Sequence, residues 1–132
     1  MEILIVIIII GVLAGAALPQ LFKNVESSRA AEALESIGAT KRAIEACAMA
    51  FNNDFTTCVD YSAIGMSNPS YSATTNAGAH FSYAFTTTAT TFQVVATRNT
   101  LDNGTAGDRI TLDRAATGAI TRAGTTAFIG IQ

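Results

Sequence analysis

The chain has 132 residues and a formal net charge of −2; 49% of its residues are hydrophobic and only 14% are charged. This length allows one modest globular domain beside an apolar helix. Its eight basic residues are scattered, which argues against a nucleic-acid-binding protein, because phosphate contacts need clustered Lys or Arg. Two cysteines and one histidine are too few for a zinc site without further ligands.

The N-terminus is an apolar run from Ile3 to Leu18, preceded by Glu2 and ended by Pro19. As a helix the run is about 24 Å long, a little short of a bilayer core of roughly 30 Å. A secretory signal peptide would have basic residues before the run and a small-residue cleavage site after it. Here an acid precedes and Pro-Gln-Leu-Phe follows, so we interpret the segment as retained.

Glu2 needs a partner if this helix lies in an apolar environment. An ionised side chain in hydrocarbon costs at least a few kcal/mol, so such a residue is a functional candidate by default. A cation from another chain is the natural partner. The alternative is an ordinary single-pass anchor for an exported domain, but anchors rarely carry an acid at their start.

A second helical pattern runs from Leu21 to Phe51 and is amphipathic. Its apolar stripe, which we expect to face a core, comprises Ala30, Ala33, Leu34, Ile37, Ile44, Cys47, Ala48 and Phe51. The opposite surface carries Glu26, Arg29, Glu32, Glu35, Lys41, Arg42 and Glu45. Asn52-Asn53-Asp54 favours a turn, so one helix of about 75 Å is expected from the start to about Phe51.

Gly11, Gly15 and Pro19 are expected to weaken the apolar half of that helix. Proline cannot donate to the preceding turn and crowds it, and glycine loosens a helix. We therefore predict that Gly11 to Pro19 bends or melts and is non-helical in at least part of a fibre. The alternative is a tolerated kink without function.

The rest of the chain predicts strands after a connecting loop rich in Ser, Thr, Asn and Gly. Alternating or β-rich stretches at Phe81–Phe85, Thr91–Thr97, Arg109–Asp113 and Ala119–Arg122 predict two antiparallel hairpins, and Ala127–Ile131 an added edge strand. The predicted fold is α+β: a long N-terminal helix, its apolar half protruding and its amphipathic half packed on a four-stranded antiparallel sheet. The predicted segments are an apolar helix at 1–22 and a head at 23–132, the head divided into helix 23–52, loop 53–78 and sheet 79–132.

Cys47 and Cys58 are predicted to form a disulfide, because an exported domain meets an oxidising compartment. Closing a loop of about a dozen residues would stabilise the fold by roughly 3 kcal/mol in the chain-entropy model. The alternative is two unrelated free thiols, one buried on the helix face.

No catalytic or cofactor-binding constellation is evident, so we expect a protein that is not an enzyme. His80 and Ser82 would share a strand face, but no acid lies near them in sequence. Weak calcium candidates are Asp102, Asp108 and Asp113, whose spacing is irregular and lacks a bidentate Glu, so no metal is predicted. Asn103-Gly104-Thr105 matches the glycan acceptor pattern, which often occurs by chance, so glycosylation of Asn103 stays open.

One stretch of the sequence resembles the N-terminal region of type IV pilins and of the related pseudopilins of type II secretion systems: MEILIVIIIIGVLAGAALPQLFKNVESSRAAEALESI. The similarity covers roughly the first third of the chain through Glu2, the aliphatic run, Gly11, Pro19 and Phe22. The order of a helix followed by a four-stranded sheet also looks like that family.

The resemblance implies a structural subunit that is exported as a prepilin, cleaved by a prepilin peptidase, methylated at its new N-terminus and stored in the inner membrane. Such subunits assemble through their apolar helices into an extracellular helical homopolymer, with Glu2 matching the acid that is thought to pair with a neighbour's N-terminal amine. The expected partners are therefore copies of the same chain, the inner membrane and the pilus assembly machinery.

Two features depart from that family. Its members usually have a leader and a few residues before the position that precedes the acid, whereas this chain starts at Met1, which puts the register of the amine pairing in doubt. The cysteines of many pilins enclose a C-terminal loop, whereas Cys47 and Cys58 lie at the helix end and in the following connection. The preferred expectation is a major pilin serving adhesion, twitching motility or DNA uptake; the alternative is the major pseudopilin of a type II secretion system.

Overall fold

The computed structural model describes residues 2–70, 72 and 77–131, and for Asn103 only the backbone. These residues form a helix α1 (Glu2–Ala50) and four strands: β1 (Phe81–Thr87), β2 (Phe92–Arg98), β3 (Arg109–Arg114) and β4 (Ile120–Gly124). The α+β fold class predicted from the sequence is confirmed. Met1, and with it the terminal amine, lies outside the described residues.

The four strands form an antiparallel meander in the order β1-β2-β3-β4. Alternation sets which face is buried: Phe81 and Tyr83 on β1 point inward, as do Val94 and Ala96 on β2. The register pairs Tyr83 with Ala96, which pairs with Ile110 on β3. Because neighbouring residues in register share a face of the sheet, these rows build one continuous apolar layer.

The second half of α1 covers this layer. Its buried residues recur at helical spacing and are Ala30, Ala33, Ile37, Thr40, Ile44 and Ala48. Small side chains alternate with Ile along the stripe, which lets the helix approach the sheet closely. Thr40 is a polar member that the sequence pattern missed. It is tolerated because its hydroxyl donates to the Ser36 carbonyl at 2.9 Å within the helix.

The prediction that Phe51 belongs to the buried stripe is wrong, because the Phe51 side chain is 51% exposed. The helix ends at Ala50, and Asn52 and Asn53 adopt positive φ values of 61° and 64°. Asn tolerates this left-handed conformation better than most residues. The turn therefore rotates Phe51 away from the stripe before the helix would have carried it to the core.

The predicted edge strand at Ala127–Ile131 is also wrong. The chain there makes a short 3-10 helix, Thr126–Phe128, that drives the Phe128 ring into the core to within 5.7 Å of the Phe81 ring centroid. A Cβ at Gly124 would collide with the Phe128 carbonyl, so the close return of the chain requires glycine there. The Phe128 ring in the core thus holds this segment in place, whereas the predicted edge strand would have been held by backbone hydrogen bonds.

Candidate assembly interface

We call residues 2–25 the stem and residues 26–131 the head. The large apolar side chains of the stem between Ile3 and Phe22 are each between 52% and 79% exposed. The first buried residue of α1 is Ala30. The stem therefore makes no use of its apolar side chains within its own fold.

The helix that contains the stem is long and apolar enough to cross a membrane, judged by length and composition. Core helices of soluble proteins and signal sequences pass the same test. Here none of the most apolar window is buried inside the fold, which distinguishes the stem from a core helix. A helix that is apolar on every side calls for an apolar environment, either lipid or other helices.

Glu2 begins this exposed helix, and α1 continues without interruption through Gly11, Gly15 and Pro19. A Cβ placed on Gly11 or Gly15 would meet no atom within 4 Å, so neither glycine is required by a contact within this chain. The single chain is thus helical where we predicted weakness. The prediction that Gly11 to Pro19 melts concerns the fibre, and it stays a prediction.

A shallow groove of about 710 Å³ runs along the head-proximal part of the stem. Its lining is apolar apart from two amide side chains near the head: Leu13, Ala14, Ala16, Ala17, Leu18, Gln20, Leu21 and Asn24. Small residues on a helix let the backbone of a neighbouring helix approach closely. We call this surface the stem groove.

A buried arginine lies at the end of the head nearest the stem, which we call the base of the head. The Arg98 side chain is 1% exposed, and its guanidinium nitrogens lie 3.3 Å from both carboxylate oxygens of Glu26. The same guanidinium donates to the carbonyls of His80, Asn99 and Leu101 at 2.9 to 3.2 Å. The charge is thus both paired and hydrogen-bonded, which is the condition for burying it.

Gly104 belongs to the same structure. A Cβ there would collide with the Arg98 guanidinium carbon and with the Asn99 carbonyl. Only glycine lets the backbone pass this close to the buried cation.

His80 lies between two acids beside this arginine. Its Nδ1 is 2.9 Å from the Glu32 carboxylate and its Nε2 is 2.9 Å from that of Asp102, while Arg29 contacts both Asp102 and Glu26. Glu32 lies on α1 and Asp102 on the β2–β3 connection, so the histidine clamps that connection to the helix. Neither acid could be predicted as a partner of His80 from the sequence, because Glu32 and Asp102 are both distant from it along the chain.

The carboxylates of this cluster have lowered pKa values. For Glu26, partial burial raises the pKa, but hydrogen bonds and charges from Arg98 and Arg29 outweigh it, so the pKa lies below its ordinary value. The hydrogen bond with His80 is the main cause that lowers the pKa of Asp102, with a further contribution from the Arg29 charge. Both acids are therefore held in the ionised form that the ion pairs need.

The disulfide between Cys47 and Cys58 is present, as predicted. It joins the last turns of α1 to the following connection, with Cα atoms 6.2 Å apart, and no cysteine is free. Cys58 is buried in the core, and Cys47 lies in the last turn of α1, so the disulfide is at the end of the head opposite the stem. It fixes the chain where the helix ends and the loop begins.

The three weak calcium candidates lie in separate environments. Asp102 pairs with His80 and Arg29, Asp113 accepts a hydrogen bond from the Gln93 amide at 2.6 Å, and Asp108 is buried beside β3. Among the residues that the structure describes, no group of three or more His, Cys, Asp or Glu is arranged to hold a metal ion. The side chain of Asn103, the glycan candidate, lies outside the described part of the chain.

Comparison of the sequence with protein-family models and with characterised proteins, and of the fold with solved structures, finds no match to this chain.

Proposed function

We propose that this protein is a structural subunit, a major pilin, of a type IV pilus filament. The observation that carries the proposal is the stem: an apolar helix headed by Glu2 whose large side chains are left exposed by a head that is otherwise well packed. The resemblance of the first third of the sequence to type IV pilins supports the same conclusion.

The exposed stem is unstable in water by itself. Fully burying one Leu or Ile side chain is worth about 1.5–3 kcal/mol, so a row of such side chains strongly favours either lipid or packing against other stems. Lipid would hold the subunit before assembly, in the inner membrane. Packing with other copies would then bury the same side chains in the core of an extracellular filament.

The head suits the outer surface of such a filament. Its core is closed, its base is held by the Arg98 and His80 contacts and its far end is stapled by the disulfide. These contacts stabilise the head from within its own chain, as a domain exposed outside the cell requires. Adhesion, twitching motility and DNA uptake are the activities that we propose for the filament, with the assembly machinery and a prepilin peptidase as transient partners.

The central test replaces Glu2 by Ala in the full chain and compares it with Glu35→Ala, which removes an exposed acid from the head half of the same helix. We expect Glu2→Ala to leave the head folded, with an unchanged circular dichroism spectrum in detergent, but to reduce or misregister filaments seen by electron microscopy. Glu35→Ala should assemble normally. Normal filaments from Glu2→Ala would contradict the proposed role of Glu2.

A second test separates a pilus from the alternative, a type II secretion pseudopilus. The resemblance covers both families, and major pseudopilins use a calcium loop near the C-terminal sheet. We expect thermal unfolding of the head to be unchanged by a calcium chelator. A large fall in melting temperature on chelation would favour the pseudopilin.

A further inference from the structure

His80 contacts two carboxylates at once, one with each nitrogen of its ring. Nδ1 lies 2.9 Å from a carboxylate oxygen of Glu32 on α1, and Nε2 lies 2.9 Å from one of Asp102 in the β2–β3 connection. A neutral imidazole carries one N–H, whereas the imidazolium carries two. Because an ionised carboxylate only accepts hydrogen bonds, the charged ring alone can make both contacts together. The observed geometry is therefore that of a protonated His80.

Further titratable groups surround this contact: Glu26 and Arg29 on α1, Tyr83 on β1 and Arg98 on β2. Both arginines keep their charge at any pH near neutral. The pKa of Glu26 lies below its ordinary value of 4.5, and burial is the main cause that raises the pKa of Tyr83 to about 12. Histidine is the side chain that ordinarily changes charge between about pH 5 and 8, so in this cluster the change of charge in that range belongs to His80.

The segment that His80 holds against α1 is the β2–β3 connection, residues 99–108. Asp102 in this segment has a φ of 52° and a ψ of 45°, a left-handed conformation that few residues other than glycine adopt. Surrounding contacts must hold it there, and its carboxylate is held by His80 and by Arg29. Asp102 also lines a pocket of about 320 Å³ where the stem meets the head, beside Phe22 and Arg29. The ring charge of His80 therefore acts on one wall of that pocket.

We propose that His80 is a pH-sensitive clamp: its protonated ring joins α1 to the β2–β3 connection, and loss of one ring proton breaks this link and loosens the connection. The neutral ring turns a lone pair toward one carboxylate, so one of the two contacts is lost. Because Arg29 still contacts Asp102, the connection opens more often without leaving the head. The two contacts favour the charged ring, so the stability they contribute is present in acid and is lost as the pH rises.

The clamp is tested by amide hydrogen exchange of the full chain in mild detergent between about pH 5.5 and 8.5, with each rate corrected for the intrinsic pH dependence of exchange. The reporters are three hydrogen-bonded amides of the connection, those of Leu101, Gly104 and Gly107. We expect their protection to fall by about threefold to fivefold as the pH rises, a modest change because the ion pairs are partly exposed. Amides in the middle of β2 serve as the internal reference and should keep their protection.

Glu32→Gln removes one of the two carboxylates, and Glu35→Gln is its matched control, because Glu35 is an exposed acid one turn further along α1. Glu35→Gln should reproduce the pH dependence of the unaltered chain, and Glu32→Gln should weaken it. His80→Gln should abolish it, with protection at every pH equal to that of the unaltered chain in base. Protection that does not depend on pH in the unaltered chain, or a Glu32→Gln chain that behaves like Glu35→Gln, would overturn the clamp even if His80→Gln does not fold.

The ring itself gives an independent readout in the untagged chain, because His80 is its only histidine. Nitrogen-15 chemical shifts of the two ring nitrogens distinguish the doubly protonated ring from either neutral tautomer. We expect a doubly protonated ring in acid, and its deprotonation should coincide with the loss of protection in the connection. A ring that loses its proton while the protection of the connection stays constant would overturn the inference. Neither measurement requires filaments, so the outcome is separate from that of the proposed function.

Discussion

The stem and the head differ in whether they bury their apolar side chains. Ile8 in the stem is 56% exposed, whereas Ile37 in the head is 1% exposed, although both lie on the same helix. In the head, the sheet packs on one face of the helix, and the opposite face carries polar residues. The stem has no such cover within the chain. One continuous helix thus meets two environments: its apolar half has no partner within the chain, and its amphipathic half packs on the sheet.

Charges show the same contrast. At the base of the head, Arg98 is buried and held by a carboxylate and several carbonyls, whereas Glu2 and Lys23 of the stem are exposed without ion pairs in the described part of the chain. The head pairs the charges near the stem with one another and has its own apolar core, so it is expected to fold as a unit. Under the proposed function, the partners of the stem are lipid or other copies of the chain. The following variants sharpen this contrast, in full chains in mild detergent.

Arg98→Met should give the largest loss of head stability, about 4 kcal/mol, because it leaves Glu26 and three carbonyls without their buried donor. Urea unfolding followed by circular dichroism measures it. Arg42→Met, at an exposed position, should change stability by less than about 0.5 kcal/mol. A loss at Arg98 no larger than that at Arg42 would show that the base of the head is not held by this cation.

Ile37→Ala and Ile8→Ala form a pair that tests the contrast directly. Ile37→Ala should destabilise the head by about 3–4 kcal/mol, because it removes buried methylene groups and leaves a cavity. Ile8→Ala should leave the urea midpoint of the head unchanged and lower filament yield instead. Equal effects of the two variants on the urea midpoint would mean that the stem packs on the head after all.

Replacing both cysteines by Ser should cost about 2.5–3 kcal/mol, the loop-closure term expected for a sequence separation of 11. The melting temperature of the double variant, compared with that of the unaltered chain with and without reductant, measures it. Reductant should affect only the unaltered chain. A variant as stable as the oxidised chain would assign the staple no role in stability.

Acid should produce the smallest effect. The pKa of Glu26 lies below its ordinary value of 4.5, so its ion pairs contribute fully above that pH and are lost as the pH falls through the lowered pKa. We expect the stability difference between the unaltered chain and Glu26→Gln to shrink below pH 4.5, by under about 1 kcal/mol because the carboxylate is partly exposed. A stability difference that does not change with pH would show that the ionisation of Glu26 does not contribute to the stability of the head.

Much of the fold could be predicted because local patterns carry it. The strands were located to within a few residues, and Ile37 and Ile44 were placed correctly on the buried stripe because helical periodicity depends only on spacing. Phe51 and the C-terminal edge strand were predicted wrongly. In both cases a turn redirected the chain, at Asn52 and Asn53 in the first case and at the Phe128 anchor in the second.

The sequence by itself determined the stem, its lone acid, the amphipathic stripe and the two cysteines, since each depends on composition or on spacing along a short stretch. Only the tertiary structure decided how the base of the head is held. His80 meets Glu32 across a separation of 48 residues, and Arg98 meets Glu26 across 72. Such contacts have no local signature, because they exist only after the sheet has been laid on the helix and has brought the β2–β3 connection beside it.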